Sequence, residues 1–304
     1  MTGTSPGVCD AHVHFFSRRW FDAFAARSPL FTETDPPEAV ANRLGAELPD
    51  EDPTFLADRW NDELERAGVR RAALIASLPG DGVSVRAAVD RHPERFVGMA
   101  MVDPTDPQAR DTVHDLFDSG RFAGICLFPA LHHFRADAGF LYPIYEEAAA
   151  FEACVFVHFG DLKIPAFRKL SIPDPVDTSF GEPSDLAQVA AEFSDVRFLV
   201  PHFGCTHHEA TLELAKQRDN VFLDTSSSNA WIEPPLTLGR VYRQALEALG
   251  PERLLFGTDS SVFPRGWRRD VLDAQREALA EIGVGAADEA RILGDNFDRV
   301  FRLP

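Results

Sequence analysis

Short apolar runs rich in Val, Ile, Leu and Phe recur along the chain, separated by longer stretches whose apolar positions fall at helical spacing. The runs predict strands at Val8–His14, Arg71–Ala76, Phe96–Met101, Phe122–Phe128, Cys154–His158, Arg197–Val200, Val221–Asp224 and Leu254–Gly257. Between them the spacing predicts helices, among others over Thr54–Ala67, Tyr142–Phe151, Ser184–Phe193, His207–Arg218 and Val271–Ile282. Continuous apolar strands alternating with helices imply a parallel sheet buried on both faces. Eight such units in 304 residues fit an α/β fold of the (β/α)8 type, a TIM barrel, spanning 1–304 as a single domain. An open doubly wound sheet fits less well, because no G-x-G-x-x-G follows the first strand.

Two segments, 28–53 and 162–183, show no clear pattern and are rich in Pro and Asp. They follow the first and fifth strands, so on a barrel they stand at the C-terminal face, where active sites are built. Loops of that length read as lids or pocket walls.

Charge narrows the partners. The chain carries 48 acidic against 30 basic side chains, a formal net charge of −18. That balance argues against nucleic acid or an anionic membrane as a partner, since both call for cationic surface. Four cysteines stand far apart with no C-x-x-C pair, which suggests free thiols in a reducing, cytoplasmic compartment. The first eight residues do not read as a signal peptide, and no apolar run approaches the roughly 18–20 residues of a membrane span. A G-x-S-x-G match at Gly3–Gly7 lacks the strand and helix that a nucleophile elbow needs.

The chemistry begins at Asp10-Ala11-His12-Val13-His14. Residues two apart on a strand point the same way, so both imidazoles face one side and form half of a divalent-metal site. Three further runs end in a candidate ligand: His158 after the fifth strand, His202 after the sixth, and Asp259 in Gly257-Thr258-Asp259 after the eighth. Any one alone reads as a hydrogen-bonded loop residue. Four coincidences on the appropriate strands of one barrel point to a metal centre.

In these motifs the chain resembles the amidohydrolase superfamily, specifically the branch that includes aminocarboxymuconate-semialdehyde decarboxylase. The resemblance runs from Cys9 to Gly294-Asp295-Asn296-Phe297. The stretches Phe167–Leu170, Leu223–Asn229 and Gly257–Trp267 resemble a bacterial subgroup described as metal-dependent hydrolases. The resemblance implies a distorted (β/α)8 barrel in which His12, His14, His158 and Asp259 bind metal. It implies that His202 is a catalytic acid/base or a ligand of a second ion, and that Asp259 can accept the proton of metal-activated water. Zinc is the first expectation, with iron or manganese as alternatives.

Many relatives bridge two metals with a carbamylated lysine ending the fourth strand. Here that strand reads Gly124–Phe128, and the only lysines are Lys163, Lys169 and Lys216, so the bridge has no residue to form it. One ion is the default; two would need other ligands, with Cys126, His132, His133, His207 and His208 as candidates, although Cys126 reads first as a small core residue and the histidine pairs as solvated loop residues.

The surroundings look apolar and, locally, cationic. Phe15, Phe16, Phe128, Phe134, Phe159, Phe203 and Phe263 lie near the ligand strands, and about half are expected to wall a pocket. Lys163, Arg168 and Lys169 follow the fifth strand, and Arg265, Arg268 and Arg269 the eighth, which suggests an anionic substrate group, a carboxylate or the phosphates of a CoA-type carrier. The expectation is a hydrolase of an ester, thioester, lactone or amide, with Phe15, Phe128, Lys163, Arg168, Lys169 and Arg265 touching the substrate. A nonoxidative decarboxylase of an aromatic or unsaturated acid is the alternative, and a non-catalytic metal- or ligand-binding barrel a third. A homodimer is in keeping with a soluble enzyme.

Overall fold

A computed structural model describes residues 7–227 and 231–302 of the chain. Eight parallel strands run in sequence order: β1 (Val8–Phe15), β2 (Val69–Ala76), β3 (Phe96–Met101), β4 (Phe122–Leu127), β5 (Cys154–Val157), β6 (Arg197–Val200), β7 (Val221–Asp224) and β8 (Leu254–Leu255). The barrel closes between β8 and β1 through bonds from Ala11 N to Phe256 O (2.9 Å), His14 N to Ser260 O (2.8 Å) and Asp259 N to His12 O (3.0 Å). The fold is therefore the (β/α)8 barrel that the alternation of runs predicted. Among the described residues no helix is long and apolar enough to cross a membrane.

The pleat sorts side chains into two cores, with a register shift on β1 between Asp10 and Val13 that moves the inward face from Cys9 and Ala11 to His12 and His14. Cys9, Ala11, Ile75, Met99, Cys126, Phe156 and Leu199 fill the barrel interior, where Phe297 and Val300 of the C-terminal helix Asn296–Val300, and Phe301 just after it, join them. Val13, Leu74, Ile125, Val155 and Leu223 face outward and pack beneath the helices with Trp60, Tyr145 and Tyr242. Burying both faces is what a continuous apolar strand requires.

The two patternless segments are not structureless. The first holds a helix over Glu38–Leu44 and the second one over Pro165–Lys169, both too short to show periodicity in sequence. They fold against each other: Val40, Ala41, Ala166, Phe167 and Leu170 share a cluster with Trp20, Phe21 and Phe24. Ser28 Oγ donates to Leu170 O (2.6 Å) and Arg43 Nε to Lys169 O (2.9 Å). Leu131 packs against both this cluster and the barrel interior, so the paired insertions sit over the C-terminal mouth.

Candidate metal centre

His12 and His14 stand on one face of β1, as the pleat dictates, and each imidazole is fixed through its Nδ1. His12 Nδ1 lies 3.0 Å from Asp224 Oδ2, and His14 Nδ1 lies 2.6 Å from Ser77 Oγ. Both Nε2 atoms are thereby turned to a common point, 3.4 Å apart. Asp259 Oδ1 completes the group at 3.1 Å from His14 Nε2 and 3.8 Å from His12 Nε2. Ligands about 2.0–2.2 Å from a single ion stand about 3.0–3.5 Å from one another, so this donor set fits one divalent transition ion. Anchored Nδ1 atoms with free Nε2 atoms are the arrangement that such an ion needs.

His202 follows β6 and packs its ring against that of His12, centroids 5.1 Å apart. Its Nδ1 lies 2.8 Å from the carbonyl oxygen of Ser226, and its backbone N–H donates to Asp224 Oδ1 (3.1 Å). His158, at the end of β5, is buried with its ring 5.1 Å from that of His202, and its Nδ1 has no protein partner. Its ring therefore lacks the Nδ1 anchor that orients His12 and His14, and His158 enters neither of the ligand groups that follow. Among the described residues the groups whose ligand atoms lie within 4.8 Å of one another are His12, His14, Asp259 and His12, His202, Asp224. The second is already joined by hydrogen bonds through the Ser226 hydroxyl, which lies 2.9 Å from Nδ1 of both His12 and His202. It is a supporting network.

Electrostatics follow from burial and pairing. Burial holds His158 well below the usual imidazole range, with the neighbouring His202 adding to the shift, and it lowers His202 and His14 as well. Burial alone would raise Asp259, but its hydrogen bond with His14 and the charges of His14, His12 and His202 hold it well below the usual carboxylate range. Asp224 behaves likewise, since attraction to His12 outweighs its burial. His12 is the exception among the imidazoles, raised because Asp224 outweighs its burial; His14, His158 and His202 are held towards the neutral form beside ionised Asp259 and Asp224, the forms that bind a cation.

Backbone strain accompanies the chemistry. His202 and Asp259 both sit at φ 58°, followed after His202 by Phe203 (52°), Gly204 (85°) and Cys205 (50°). Side chains rarely adopt this region, and holding them there costs free energy that the surrounding bonds must offset. At Gly204 a Cβ would stand 2.1 Å from Thr211 Oγ1, so glycine is required. Asp10 secures the strand ends: its buried carboxylate accepts from His12 N, Thr258 N, Thr258 Oγ1 and Trp267 Nε1, the last at 2.7 Å.

Other sequence expectations distribute unevenly. Phe128 stacks on His158 (5.5 Å, 24°) and Phe16 on His14 (5.2 Å, 13°). Phe15, expected at the substrate, is instead fully buried in the layer between barrel and helices, because it lies on the face of β1 opposite His14. Phe134, Phe159, Phe203 and Phe263 belong to the same layer. Cys126 is a buried interior residue whose thiol burial pushes well above its usual range. His133 Nε2 lies 2.5 Å from Pro175 O, and His208 Nδ1 2.9 Å from Phe203 O. Neither these two nor His132 and His207 enter the two ligand groups. Lys169 donates to Leu44 O (2.6 Å), Lys163 is 86% exposed beside Asp161, and Arg168 is exposed. Of the four, Arg265 is the cation whose charge lowers His14, and Asp259 in turn favours the charged guanidinium. The Gly3–Pro6 part of the G-x-S-x-G match, and Ser228 and Asn229 of the quoted β7 stretch, lie outside the described residues. Asp224, Ser226 and Ser77 were missed as site residues, although Asp224 ends its apolar run just as His158 and His202 follow theirs.

No curated protein matches the chain. Its fold is similar to that of 5-carboxyvanillate decarboxylase from Sphingomonas paucimobilis, with TM-score 0.66, 17% identity, and 98% of this chain and 99% of that one covered. It is also similar to 5-carboxyvanillate decarboxylase from Novosphingobium aromaticivorans, complexed with manganese and 4-hydroxy-3-methoxy-5-nitrobenzoic acid (TM-score 0.65, 15% identity, coverage 99% and 97%). A third likeness is to a probable 2-pyrone-4,6-dicarboxylic acid hydrolase from Acinetobacter baumannii with citric acid bound (TM-score 0.62, 15% identity, coverage 97% and 99%). The sequence model of the Amidohydrolase family matches residues 9–303. A match of that extent takes in β1 from its second residue and all of β2 to β8, and the chain belongs to the amidohydrolase family of enzymes.

Proposed function

We propose that the chain is a metal-dependent hydrolase that uses activated water to cleave an ester, thioester, lactone or amide of a small molecule with an apolar body and an anionic group. His12, His14, His158 and Asp259 would hold one divalent transition ion, zinc or alternatively manganese or iron. Such an ion supplies Lewis-acid polarisation of a carbonyl and makes water more acidic. The remaining tasks fall to the chain's own groups. His202 takes the water proton at Nε2 and returns it to the leaving group, while Phe16 and Phe128 wall the substrate and Arg265 receives its anionic group. The four free, buried cysteines suit a reducing cytoplasmic setting.

One observation carries the choice of hydrolysis. His202 Nδ1 faces the carbonyl oxygen of Ser226 at 2.8 Å, an acceptor only, so the ring proton is on Nδ1. Nε2 is then a lone pair, and burial keeps the imidazole neutral. A resting base of this kind is what water attack needs first, whereas decarboxylation needs a proton donor for carbon.

A second reading, nonoxidative decarboxylation of an aromatic acid, is favoured by the likeness to the 5-carboxyvanillate decarboxylases, one of which holds manganese and a nitrobenzoic acid. The two readings share every ligand. Incubating metal-loaded enzyme with a panel of esters, lactones, acyl-CoA thioesters and aromatic acids in 18O water separates them. The proposal expects 18O in a product carboxylate and no CO2; CO2 release without label in the organic product supports the second reading and overturns the first.

A further inference from the structure

The anionic group of the substrate can be specified further, resting on the hydrolase reading. Two chemistries would put an anion at this face: a single carboxylate, or the several phosphates of a nucleotide-type carrier. They ask for different constellations. A carboxylate is matched by one guanidinium fork, whereas a run of phosphates calls for several converging cations.

The cations after β5 do not converge. Lys169 Nζ is bonded to Leu44 O at 2.6 Å, tying one insertion to the other, Lys163 stands beside Asp161, and Arg168 is exposed. Among the described residues the open cleft of about 610 Å3 on the insertion side is lined by Arg18, Glu38, Glu47, Asp50 and Glu51, a predominantly acidic wall that repels phosphate.

The loop after β8 is built differently. Arg268 N donates to Ser260 Oγ (2.9 Å), Gly266 N to Val262 O (3.0 Å) and Trp267 Nε1 to the buried Asp10 (2.7 Å), so the loop folds back onto the strand end that carries Asp259. At its turn Arg265 reaches back, and Nη2 lies 2.5 Å from Ser261 Oγ, two residues beyond Asp259. Arg268 is taken up by both oxygens of Asp270 (2.8 and 2.6 Å). Arg265 is exposed and has no carboxylate within ion-pair distance among the described residues, so its guanidinium is open to a ligand; Asp259, two residues before the Ser261 tether, has a side chain that is 30% exposed. We infer that Arg265, tethered by Ser261, is the specificity-determining residue for a single substrate carboxylate. The substrate class is a small carboxylate with its anionic end on the β8 side, and not a CoA thioester.

The test is binding by calorimetry to the metal-loaded enzyme, with benzoate, its neutral isostere benzamide, and coenzyme A as probes. Arg265→Gln is expected to weaken benzoate about 10- to 100-fold and to leave benzamide unchanged, the size of a lost charged hydrogen bond. Ser261→Ala, which frees the guanidinium without removing it, should weaken benzoate by a smaller factor. Wild-type protein should bind coenzyme A no more tightly than benzoate. Equal benzoate binding in wild type and Arg265→Gln, including none in either, overturns the inference. So does tight coenzyme A binding that is lost in Lys163→Gln/Arg168→Gln. Because these are affinities, they stand or fall separately from whether the turnover reaction is hydrolysis.

Discussion

Asp224 Oδ2 lies 3.0 Å from Nδ1 of His12, joining β7 to β1 across 212 residues of sequence. The other oxygen, Oδ1, accepts from His202 N, Ser226 N and the Ser226 hydroxyl, so one buried carboxylate fixes both the metal-facing tautomer of His12 and the placement of His202.

Asp224→Asn keeps the shape and reverses the instruction. With Oδ1 still engaged by three donors, the new amide NH2 faces His12 Nδ1, which must then be unprotonated. The proton moves to Nε2, the atom that faces His14 and Asp259. Metal affinity should fall about 10- to 100-fold, measured by competition with a chelating dye, while the far-ultraviolet dichroism of the barrel is kept.

Acid should release the ion through His12 first. Burial alone would lower this imidazole, but Asp224 outweighs burial and raises it, whereas His14, His158 and His202 are lowered. Below the pKa of His12 a proton competes with the ion, so affinity should decline about tenfold per pH unit on acidification. Chelator titrations at successive pH values would read that slope. Affinity that stays flat from neutrality downward would exclude His12 as a ligand.

Removing the ring of Phe167 should loosen both insertions together. It packs near Phe24 (5.5 Å between centroids) with Arg27 against its face, in the cluster that the two segments share. Phe167→Ala should cost about 3–5 kcal/mol within that unit. Hydrogen exchange should rise in both 28–53 and 162–183 and stay unchanged in β2 to β4.

Gly124→Ala tests the barrel wall. A Cβ there would stand 2.4 Å from Cys154 O on β5 and 2.8 Å from Met99 Sδ on β3, so the β5 backbone must shift and the Met99 side chain must swing aside. Overpacking of that kind should lower stability by about 1–3 kcal/mol or more, read from urea unfolding.

Much of this was legible in the sequence, and the reason is geometric. The runs Phe96–Met101, Arg197–Val200 and Val221–Asp224 match their strands residue for residue, because buried parallel strands are written as uninterrupted apolar segments. Residues that end such runs land on one face of a barrel, which is why His12, His14, His158, His202 and Asp259 could be grouped without coordinates, although His158 enters neither ligand group. β8 is shorter than its run because Phe256 N turns away to Ile292 O, a contact with the C-terminal region that no local pattern encodes. The partners that set tautomers, Asp224, Ser226 and Ser77, were hidden for a similar reason: each acts across the barrel on an imidazole far away in sequence. Phe15 is a different case. The alternation that put His12 and His14 on one face already put Val13 and Phe15 on the other.

The central claim, that His12, His14 and Asp259, with His158, hold a catalytic ion, is tested most directly by the metal content of purified wild-type and His14→Ala proteins. Elemental analysis should find about one divalent transition ion per wild-type chain and less than about a tenth of that in the variant, with the fold retained. Wild-type protein that turns over substrate without metal, or a His14→Ala protein that keeps its full ion, would contradict it.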